Sequence, residues 1–311
     1  MTPRESIIEA LELRQPPGLV PHCELEFQLT EELLGKTALR AEALKDVSEP
    51  ERDRRLHENA EMWLECAERL KWSVITGLHW LGFEDQIRSF KIIRDLVGDR
   101  YMLSAFVDGT FAIPSGEQMT EHVVWLTEKR DEALAQAEAS AQGAAETCRR
   151  YIGEGAGIIF MCADYCFNDG PFLSPRMFAQ YVTPYLAQIV EAIRDAGGYA
   201  CKHTDGNIMP ILDQLVGSGI HALHSLDPMA GVDIAEVKRR YGDRICLFGN
   251  VNCALVQAGA PEEIETSARY CLQHGGVASG GYVYCTSNCI FKGVPLENYL
   301  TMLRVREGFS A

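Results

Sequence analysis

The sequence predicts a (β/α)8 barrel in a single domain. Eight short apolar runs, rich in β-branched and aromatic residues, alternate along the 311-residue chain with segments of helical periodicity. The run Gly157–Ala163 is almost wholly apolar, which is typical of a parallel strand buried on both faces. No Gly-x-Gly-x-x-Gly motif follows an early strand, so we favour the barrel over a doubly wound open sheet.

The predicted elements follow one another in a regular order. The predicted strands are Leu19–Phe27, Trp72–Gly77, Tyr101–Val107, Gly157–Ala163, Tyr199–His203, Ala222–Leu226, Ile245–Gly249 and Gly281–Cys285. The clearest predicted helices are Ser174–Ala196, Met209–Gly217, Ile234–Tyr241, Pro261–His274 and Pro295–Glu307. The first half of the chain is less regular, although Ala spacing predicts a helix over Asp131–Arg150. We therefore treat 1–311 as one domain in which residues 1–70 are partly an N-terminal helical extension or insertion.

Composition excludes several classes of protein. The net charge of −15 opposes general binding to nucleic acid, because phosphate binding requires a positive face. No apolar run approaches the roughly 20 residues that a membrane-spanning helix needs. The 11 Cys residues show no repeated Cys-x-x-Cys pattern, and the first residues lack the apolar core of a signal peptide. We therefore expect a cytoplasmic protein with free thiols.

Polar side chains follow nearly every predicted strand. In a (β/α)8 barrel these positions meet at one face and form the active site. Helix caps and turns also use such residues, which accounts for about half of the set on general grounds. The set is Glu24, Glu26, Asp108, Asp164, His203, Asp205, Asn207, His224, Asp227, Asn250, Asn252, Cys285, Asn288 and Cys289.

Several motifs resemble the uroporphyrinogen decarboxylase superfamily from about residue 20 onwards. The motifs are Val20-Pro-His-Cys-Glu-Leu-Glu, Asn168-Asp-Gly-Pro-Phe-Leu-Ser-Pro-Arg-Met-Phe, Lys202-His-Thr-Asp-Gly-Asn-Ile, Gly249-Asn-Val-Asn-Cys and Gly280-Gly-Tyr-Val-Tyr-Cys-Thr-Ser-Asn-Cys-Ile. Each motif alone is weak, and together they are specific. The resemblance implies a (β/α)8 barrel, in agreement with the strand count.

The superfamily implies two chemistries. One branch decarboxylates uroporphyrinogen without a cofactor and uses an Arg-rich N-terminal segment to hold substrate carboxylates. This chain has only Arg14-Gln15-Pro16-Pro17 there. The resemblance therefore favours the other branch, methyl transfer from a small donor, such as an aryl methyl ether, to cobalamin on a separate corrinoid protein. Methyl transfer from the corrinoid protein to folate or a thiol stays open, as does a homodimer.

The resemblance also implies a metal site. Relatives that hold zinc use a His-x-Cys pair after one strand and a second Cys near the last strand. Here His203 matches the His, Asp205 stands in place of the first Cys, and Cys289 is the late Cys if a one-residue gap is allowed. These three residues form an N/O/S set that can bind zinc. In the alternative without metal, His203 and Asp205 bind the substrate and supply a proton to its leaving oxygen.

Two further sets complete the predicted site. Asp164 and Glu26 join His203 as predicted catalytic residues, and Glu24 and Glu26 alternate so that both point to one side of the first strand. A buried pair of carboxylates would raise the pKa of one and create a general acid, whereas on an outward face both would be solvated. The predicted substrate-binding residues are Glu24, Asn207, Asn250, Asn252 and Asn288. For Asn207 the alternative role is to cap the helix that follows it.

Overall fold

The computed structural model describes residues 1–276 and 279–309 of the chain. Within them, seven parallel strands form one curled sheet in the order β1-β2-β3-β6-β7-β8-β9. A two-stranded antiparallel hairpin, β4–β5, lies between β3 and β6 in the chain. The strands are β1 Val74–Ile75, β2 Met102–Phe106, β3 Ile158–Met161, β4 Cys166–Phe167, β5 Gly170–Pro171, β6 Tyr199–His203, β7 Ala222–His224, β8 Cys246–Phe248 and β9 Tyr282–Val283.

Helices separate the strands of the sheet. They are α1 Pro3–Leu11, α2 Thr30–Leu34, α3 Glu49–Arg69, α4 Phe83–Val97, α5 Met119–Glu128, α6 Arg130–Gly153, α7 Pro175–Tyr181, α8 Thr183–Asp195, α9 Leu212–Gly217, α10 Ile234–Tyr241, α11 Cys253–Ala258, α12 Pro261–Gly275 and α13 Leu296–Gly308. Three of them precede β1, in the region predicted as an N-terminal helical extension. None of the helices in the described residues has the length and apolarity that crossing a membrane requires.

Seven of the eight predicted strands are present, and Tyr199–His203 has the predicted bounds. The remaining predicted strand, Leu19–Phe27, is the first along the chain and is not a continuous strand. Only isolated parallel bridges join His22 to Tyr284 and Phe27 to Ile290. Pro21 lies inside this segment and has no N–H to donate to a ladder.

The segment around His22 nevertheless contacts both edges of the sheet. The Ser73 N–H, next to β1, donates to the His22 carbonyl at 2.7 Å. The Tyr284 N–H, next to β9, donates to the Pro21 carbonyl at 2.9 Å. The backbone of this segment therefore lies between the first and the last strand.

The predicted helix Ser174–Ala196 is divided into α7 and α8 at Val182. Pro184 explains the division, since it has no N–H to donate to the Gln180 carbonyl in a continuous helix but is tolerated in the first turn of a new helix. The prediction of one continuous helix was wrong at this point.

Two apolar clusters position the site. Alternate strand residues such as Met102, Phe160 and Cys201 fill the inner face of the sheet, while a larger cluster packs the outer face against the helices. Helix α1 covers the amino ends of the strands, where Ile7 and Leu11 join the inner cluster. The carboxyl ends are left for the polar side chains that follow the strands.

Candidate active site

One nitrogen and two carboxylates face each other at the carboxyl ends of β3 and β6, which are adjacent strands. His203 is the last residue of β6, and its Nε2 lies 3.9 Å from Oδ1 of Asp164 and 3.8 Å from Oδ1 of Asp205. The three candidate ligand atoms all lie within 4.8 Å of one another. The structure thus brings together three of the predicted site residues.

Asp205 is held by two hydrogen bonds from other loops. The Ser225 hydroxyl donates to Oδ1 at 2.7 Å, and the Asn288 amide donates to Oδ2. Burial, reinforced by repulsion from Asp164 and Asp227, raises the pKa of Asp205 to about 6. Asp205 is therefore a fixed carboxyl that can take up a proton close to neutral pH.

His203 is buried and contacts a second histidine. Its Nδ1 lies 2.7 Å from Nδ1 of His224, the last residue of the neighbouring strand β7. Burial, with the positive charge of Lys202 beside it, lowers the pKa of His203 to about 3. His203 is therefore neutral at physiological pH.

Hydrogen bonds fix the backbone on either side of Asp164, and a buried ion pair provides those on the Ala163 side. Lys202 is fully buried, and its ammonium donates to Asp108 Oδ2 at 2.7 Å and to the Ala163 carbonyl at 2.9 Å. Asp108 Oδ2 also accepts the Ala163 N–H at 2.9 Å, and the Tyr165 N–H donates to Thr204 Oγ1. Burial alone would raise the pKa of Asp108, but the charge and hydrogen bond of Lys202 hold it below its usual value. Asp164 therefore projects from a peptide segment that is held on both sides.

Gly206, between Asp205 and Asn207, allows the loop after β6 to approach the β4 strand closely. Its φ is +82°, and an added Cβ would lie 2.5 Å from the Cys166 carbonyl oxygen. We expect Gly206→Ala to destabilise the fold by about 1–3 kcal/mol in urea unfolding, because it combines backbone strain with a clash. The control is Gly231→Ala, where φ is +76° but nothing lies within 4 Å. Equal losses in the two variants would contradict the role of the close approach.

The two glutamates of the first segment have different surroundings. Glu24 is fully buried, and its Oε2 accepts the Thr286 N–H at 3.2 Å and the Thr286 hydroxyl at 2.6 Å. Burial raises the pKa of Glu24 to about 8. Glu26 is partly exposed, and hydrogen bonding from His79, followed by that from Gln28, lowers its pKa. The two glutamates therefore have different partners. Glu24 holds the loop after β9, whereas Glu26 lies near His79 and Gln28.

The buried Glu24 predicts a pH dependence of stability. The folded protein binds this proton more tightly than the unfolded chain, so stability falls as pH rises from about 4.5 to 8. In urea unfolding at pH 5 and pH 8, we expect Glu24→Gln to reduce the pH-dependent loss by on the order of 3 kcal/mol. The exposed Glu117→Gln serves as the control and should keep the wild-type dependence. If the stability of Glu24→Gln depended on pH as the wild type does, a raised pKa of Glu24 would be contradicted.

Three of the predicted substrate-binding amides have structural hydrogen bonds. Asn207 Oδ1 accepts the Met209 N–H, and Asn252 Oδ1 caps α11 by accepting two backbone N–H groups. Asn250 is buried and donates to the Leu226 carbonyl at 2.6 Å. Only Asn288 among the predicted amides contacts Asp205 directly.

Cys289 lies outside the group of candidate ligand atoms in the described residues, and Asp164 takes its place. Its backbone N–H donates to Asn288 Oδ1 at 2.8 Å, and its side chain is partly buried. Burial, reinforced by nearby carboxylates, raises the pKa of its thiol well above the usual value. The observed group is an N/O/O set, where the sequence predicts an N/O/S set.

Two further residues belong to the site, and the sequence assigned them no role. His224 was part of the polar strand-end set, and in-register pairing of β6 and β7 places it beside His203. Lys202 is the first residue of the motif Lys202-His-Thr-Asp-Gly-Asn-Ile, and the motif assigns it no role of its own. A buried lysine requires a charged partner, and Asp108, 94 residues earlier, supplies it.

Comparison with known proteins identifies the family. The family model for uroporphyrinogen decarboxylase (URO-D) matches residues 81–309. The chain belongs to the uroporphyrinogen decarboxylase family. Uroporphyrinogen decarboxylase of Coxiella burnetii is 31% identical over 144 residues, which are 45% of this chain and 38% of that protein. The Hordeum vulgare enzyme is 30% identical over 145 residues, 44% of this chain and 40% of that one. These alignments span well under half of either relative.

Solved structures share the fold of this family member over nearly its whole length. A methyltransferase from Methanosarcina mazei superposes with a TM-score of 0.76 at 18% identity, covering 99% of this chain and 98% of that one. A B12-independent methionine synthase from Shewanella sp. W3-18-1 gives a TM-score of 0.53 at 12% identity, covering 95% and 94%. At these identities the likeness establishes the α/β architecture.

Proposed function

We propose that this member of the uroporphyrinogen decarboxylase family is a methyltransferase. The methyl group would move from a small donor, such as an aryl methyl ether, to a corrinoid protein. The observation that carries the proposal is the group of Asp164, His203 and Asp205, in which a nitrogen and two carboxylates face each other at the strand ends. The similarity in fold to a methyltransferase over 99% of the chain supports the same class of reaction.

The proposed reaction breaks the bond between the methyl carbon and the donor oxygen, and both electrons stay with the oxygen. The corrinoid on the partner protein supplies the reduced cobalt that takes the methyl group. Negative charge then develops on the departing oxygen and must be neutralised. Asp164, His203 and Asp205 would achieve this by holding a cation, or Asp205 would supply a proton to the oxygen.

We propose zinc as the cation. A neutral imidazole nitrogen and two carboxylate oxygens are ordinary zinc ligands, and three protein ligands leave a fourth position for the donor oxygen. Zinc would act there as a Lewis acid. Asp205 fits this role, because Ser225 and Asn288 orient its oxygens as outer partners orient metal ligands. The metal-free arrangement, with Asp205 as proton donor, is the alternative that elemental analysis distinguishes.

Exposed apolar side chains around the strand ends support docking of a partner protein. Phe167 after β3, Met229 after β7 and Phe291 after β9 are 40%, 54% and 47% exposed. All three lie on connections that follow strands of the large sheet, Phe167 within the β4–β5 hairpin. These connections begin at the carboxyl ends of the strands, where His203 also lies. Apolar side chains exposed near a site are typical of a protein interface. We propose that the corrinoid protein binds this face.

We also propose that the sheet closes into a (β/α)8 barrel. The hydrogen bonds from Ser73 to His22 and from Tyr284 to Pro21 support closure through the segment before β1. Closure would bring this segment, with Glu26 in it, to the same mouth as His203.

Cofactor-free decarboxylation of a uroporphyrinogen-like substrate is the second candidate, favoured by the two decarboxylases that are 30–31% identical over part of the chain. It requires cationic groups for several substrate carboxylates. Arg14 is paired with Glu9 at 2.7 Å, and the adjacent Gln15 accepts the Gly280 N–H before β9 begins. Arg14 therefore lies at the amino ends of the strands, away from His203. We place this candidate second.

The decisive experiment is methyl transfer to free cob(I)alamin, followed by absorbance, with methoxyarenes, methylamines and methanol as donors. Zinc is measured on the same preparation by elemental analysis. We expect methylation of the cobalamin with a methoxyarene and about one zinc per chain. No transfer with any donor, even with corrinoid proteins supplied, would overturn the proposed direction. Activity with methylcobalamin and folate or a thiol would then identify the reverse transfer, and carbon dioxide release from uroporphyrinogen would identify the decarboxylase.

A further inference from the structure

Two buried histidines share one hydrogen bond beside the candidate active site. His203 and His224 are 5% and 1% exposed, and their Nδ1 atoms lie 2.7 Å apart. At this distance one nitrogen must carry a proton and the other must accept it. The protonation of the two rings is therefore coupled.

The Thr286 carbonyl determines which ring donates. His224 Nε2 lies 3.2 Å from this oxygen, and a carbonyl can only accept, so His224 carries its proton on Nε2. The polar contacts of His224 in the described residues are His203 and this carbonyl, and neither carries a negative charge. A second proton on the buried ring would therefore be an uncompensated charge. A neutral His224 has a bare Nδ1 and accepts from His203 Nδ1–H.

The orientation of the Thr286 carbonyl is itself fixed. The Ser287 N–H belongs to the same peptide group as this carbonyl and donates to the Val251 carbonyl at 2.8 Å. On the other side of the residue, Glu24 Oε2 accepts the Thr286 N–H at 3.2 Å. Both peptide groups of Thr286 are therefore held, which keeps its carbonyl in place for His224.

We infer that His224, anchored by the Thr286 carbonyl, is a positioning residue that holds His203 with its proton on Nδ1 and presents a bare Nε2 to Asp164 and Asp205. The tautomer of His203 does not depend on the proposed function. Only the consequence of that tautomer for the reaction rests on the proposed function. His203 then serves as an electron-pair donor, to a cation or to a substrate proton, and the proton for a leaving oxygen comes from another group. Burial of both rings supports the neutral state, since a charged ring there would lose its hydration without gaining a charged partner for His224.

The arrangement at Nε2 is one that attracts a cation. The bare nitrogen lies within 3.9 Å of two carboxylate oxygens, and these are acceptors when ionised. Three electron-pair donors therefore converge, and a divalent metal ion or a proton held by Asp205 would offset their mutual repulsion. Outer partners that fix the tautomer of a ligating histidine typically contribute 10–100-fold in metal affinity.

The test is ¹⁵N NMR of the histidine rings in the full chain, which has 8 His. Protonated and bare ring nitrogens give separate resonances, and His203→Asn assigns the signals of His203. We expect a proton on Nδ1 and none on Nε2 in the metal-free wild type. A proton on His203 Nε2 would overturn the inference, whatever the outcome of the methyl-transfer assay.

Variants of His224 provide the second measurement, with Co²⁺ as the probe ion. His224→Leu removes the acceptor, and we expect mixed tautomers of His203 and a Kd for Co²⁺ raised about 10–100-fold. His224→Gln keeps a donor and an acceptor and should retain affinity within about threefold. His221→Gln, just before β7, is the control, since in the described part of the chain the hydrogen bond of its ring is the one that Nδ1 accepts from the Ala200 N–H at 3.0 Å. An unchanged tautomer in His224→Leu would overturn the inference. If that variant does not fold, the wild-type spectrum alone decides. Wild type that binds no Co²⁺ would count against the metal site and leave the tautomer test intact.

Discussion

In the methyltransferase that we propose, replacing His203 by alanine is expected to lower the rate of methyl transfer to cob(I)alamin by about 10²–10⁴-fold. The variant removes the only nitrogen of the candidate ligand group and leaves Asp164 and Asp205 facing one another. Bound zinc should fall with the activity, because two carboxylates alone retain a metal ion poorly. The measurement is the initial rate with the best donor, together with zinc content.

His57→Ala is the matched control for this prediction. His57 is exposed on α3, far along the chain from the strand ends that carry the site. It should keep the wild-type rate, and urea unfolding of both variants checks that each is folded under the assay conditions. A His203→Ala protein that folds and transfers methyl groups at the wild-type rate would remove His203 from the chemistry.

Replacing Lys202 by methionine is expected to lower the free energy of unfolding by about 3–5 kcal/mol. The change leaves the Asp108 carboxylate, which is only 13% exposed, without its positive partner. The Ala163 carbonyl also loses its donor, so Asp164 should be less well positioned and activity should fall as well. Urea unfolding and the methyl-transfer rate measure the two effects separately.

Two comparisons show whether the unpaired charge of Asp108 causes the loss of stability in Lys202→Met. The double variant Lys202→Met with Asp108→Asn should lose less stability than the sum of the two single changes, since no buried charge is left. Lys36→Met breaks an exposed ion pair with Glu65 at 3.1 Å and should cost less than about 1 kcal/mol. A Lys202→Met protein as stable as Lys36→Met would show that the buried pair contributes little.

The periodicity of the sequence predicted most of the fold because strands and helices bury residues at different spacings. The strand at Tyr199–His203 and the helix at Ile234–Tyr241 have the predicted bounds. The segment Leu19–Phe27 has the composition of a strand but forms only isolated bridges. The hairpin of β4 and β5 lay outside the predicted elements, since strands of two residues leave no periodic signal.

The site was predicted in part for a related reason. Residues that follow parallel strands meet at one edge, so the convergence of Asp164, His203 and Asp205 follows from strand order. Strand order also places residues such as Asn252 at this edge, but the side chain of Asn252 caps a helix. Sequence position places a side chain at the edge of the sheet without giving its hydrogen-bond partner.

The sequence by itself determined the order of the elements, the family and the polar character of the strand ends. Only the tertiary structure decided which groups pair. Glu24 and Thr286 are 262 residues apart, and His203 meets His224 through the register of two strands. Alternation places Glu24 and Glu26 on one side of the chain, yet packing buries the first and leaves the second partly exposed. Local preference acts over a few residues, whereas burial and charge pairing depend on every element that packs against a group, and these set the protonation of the site.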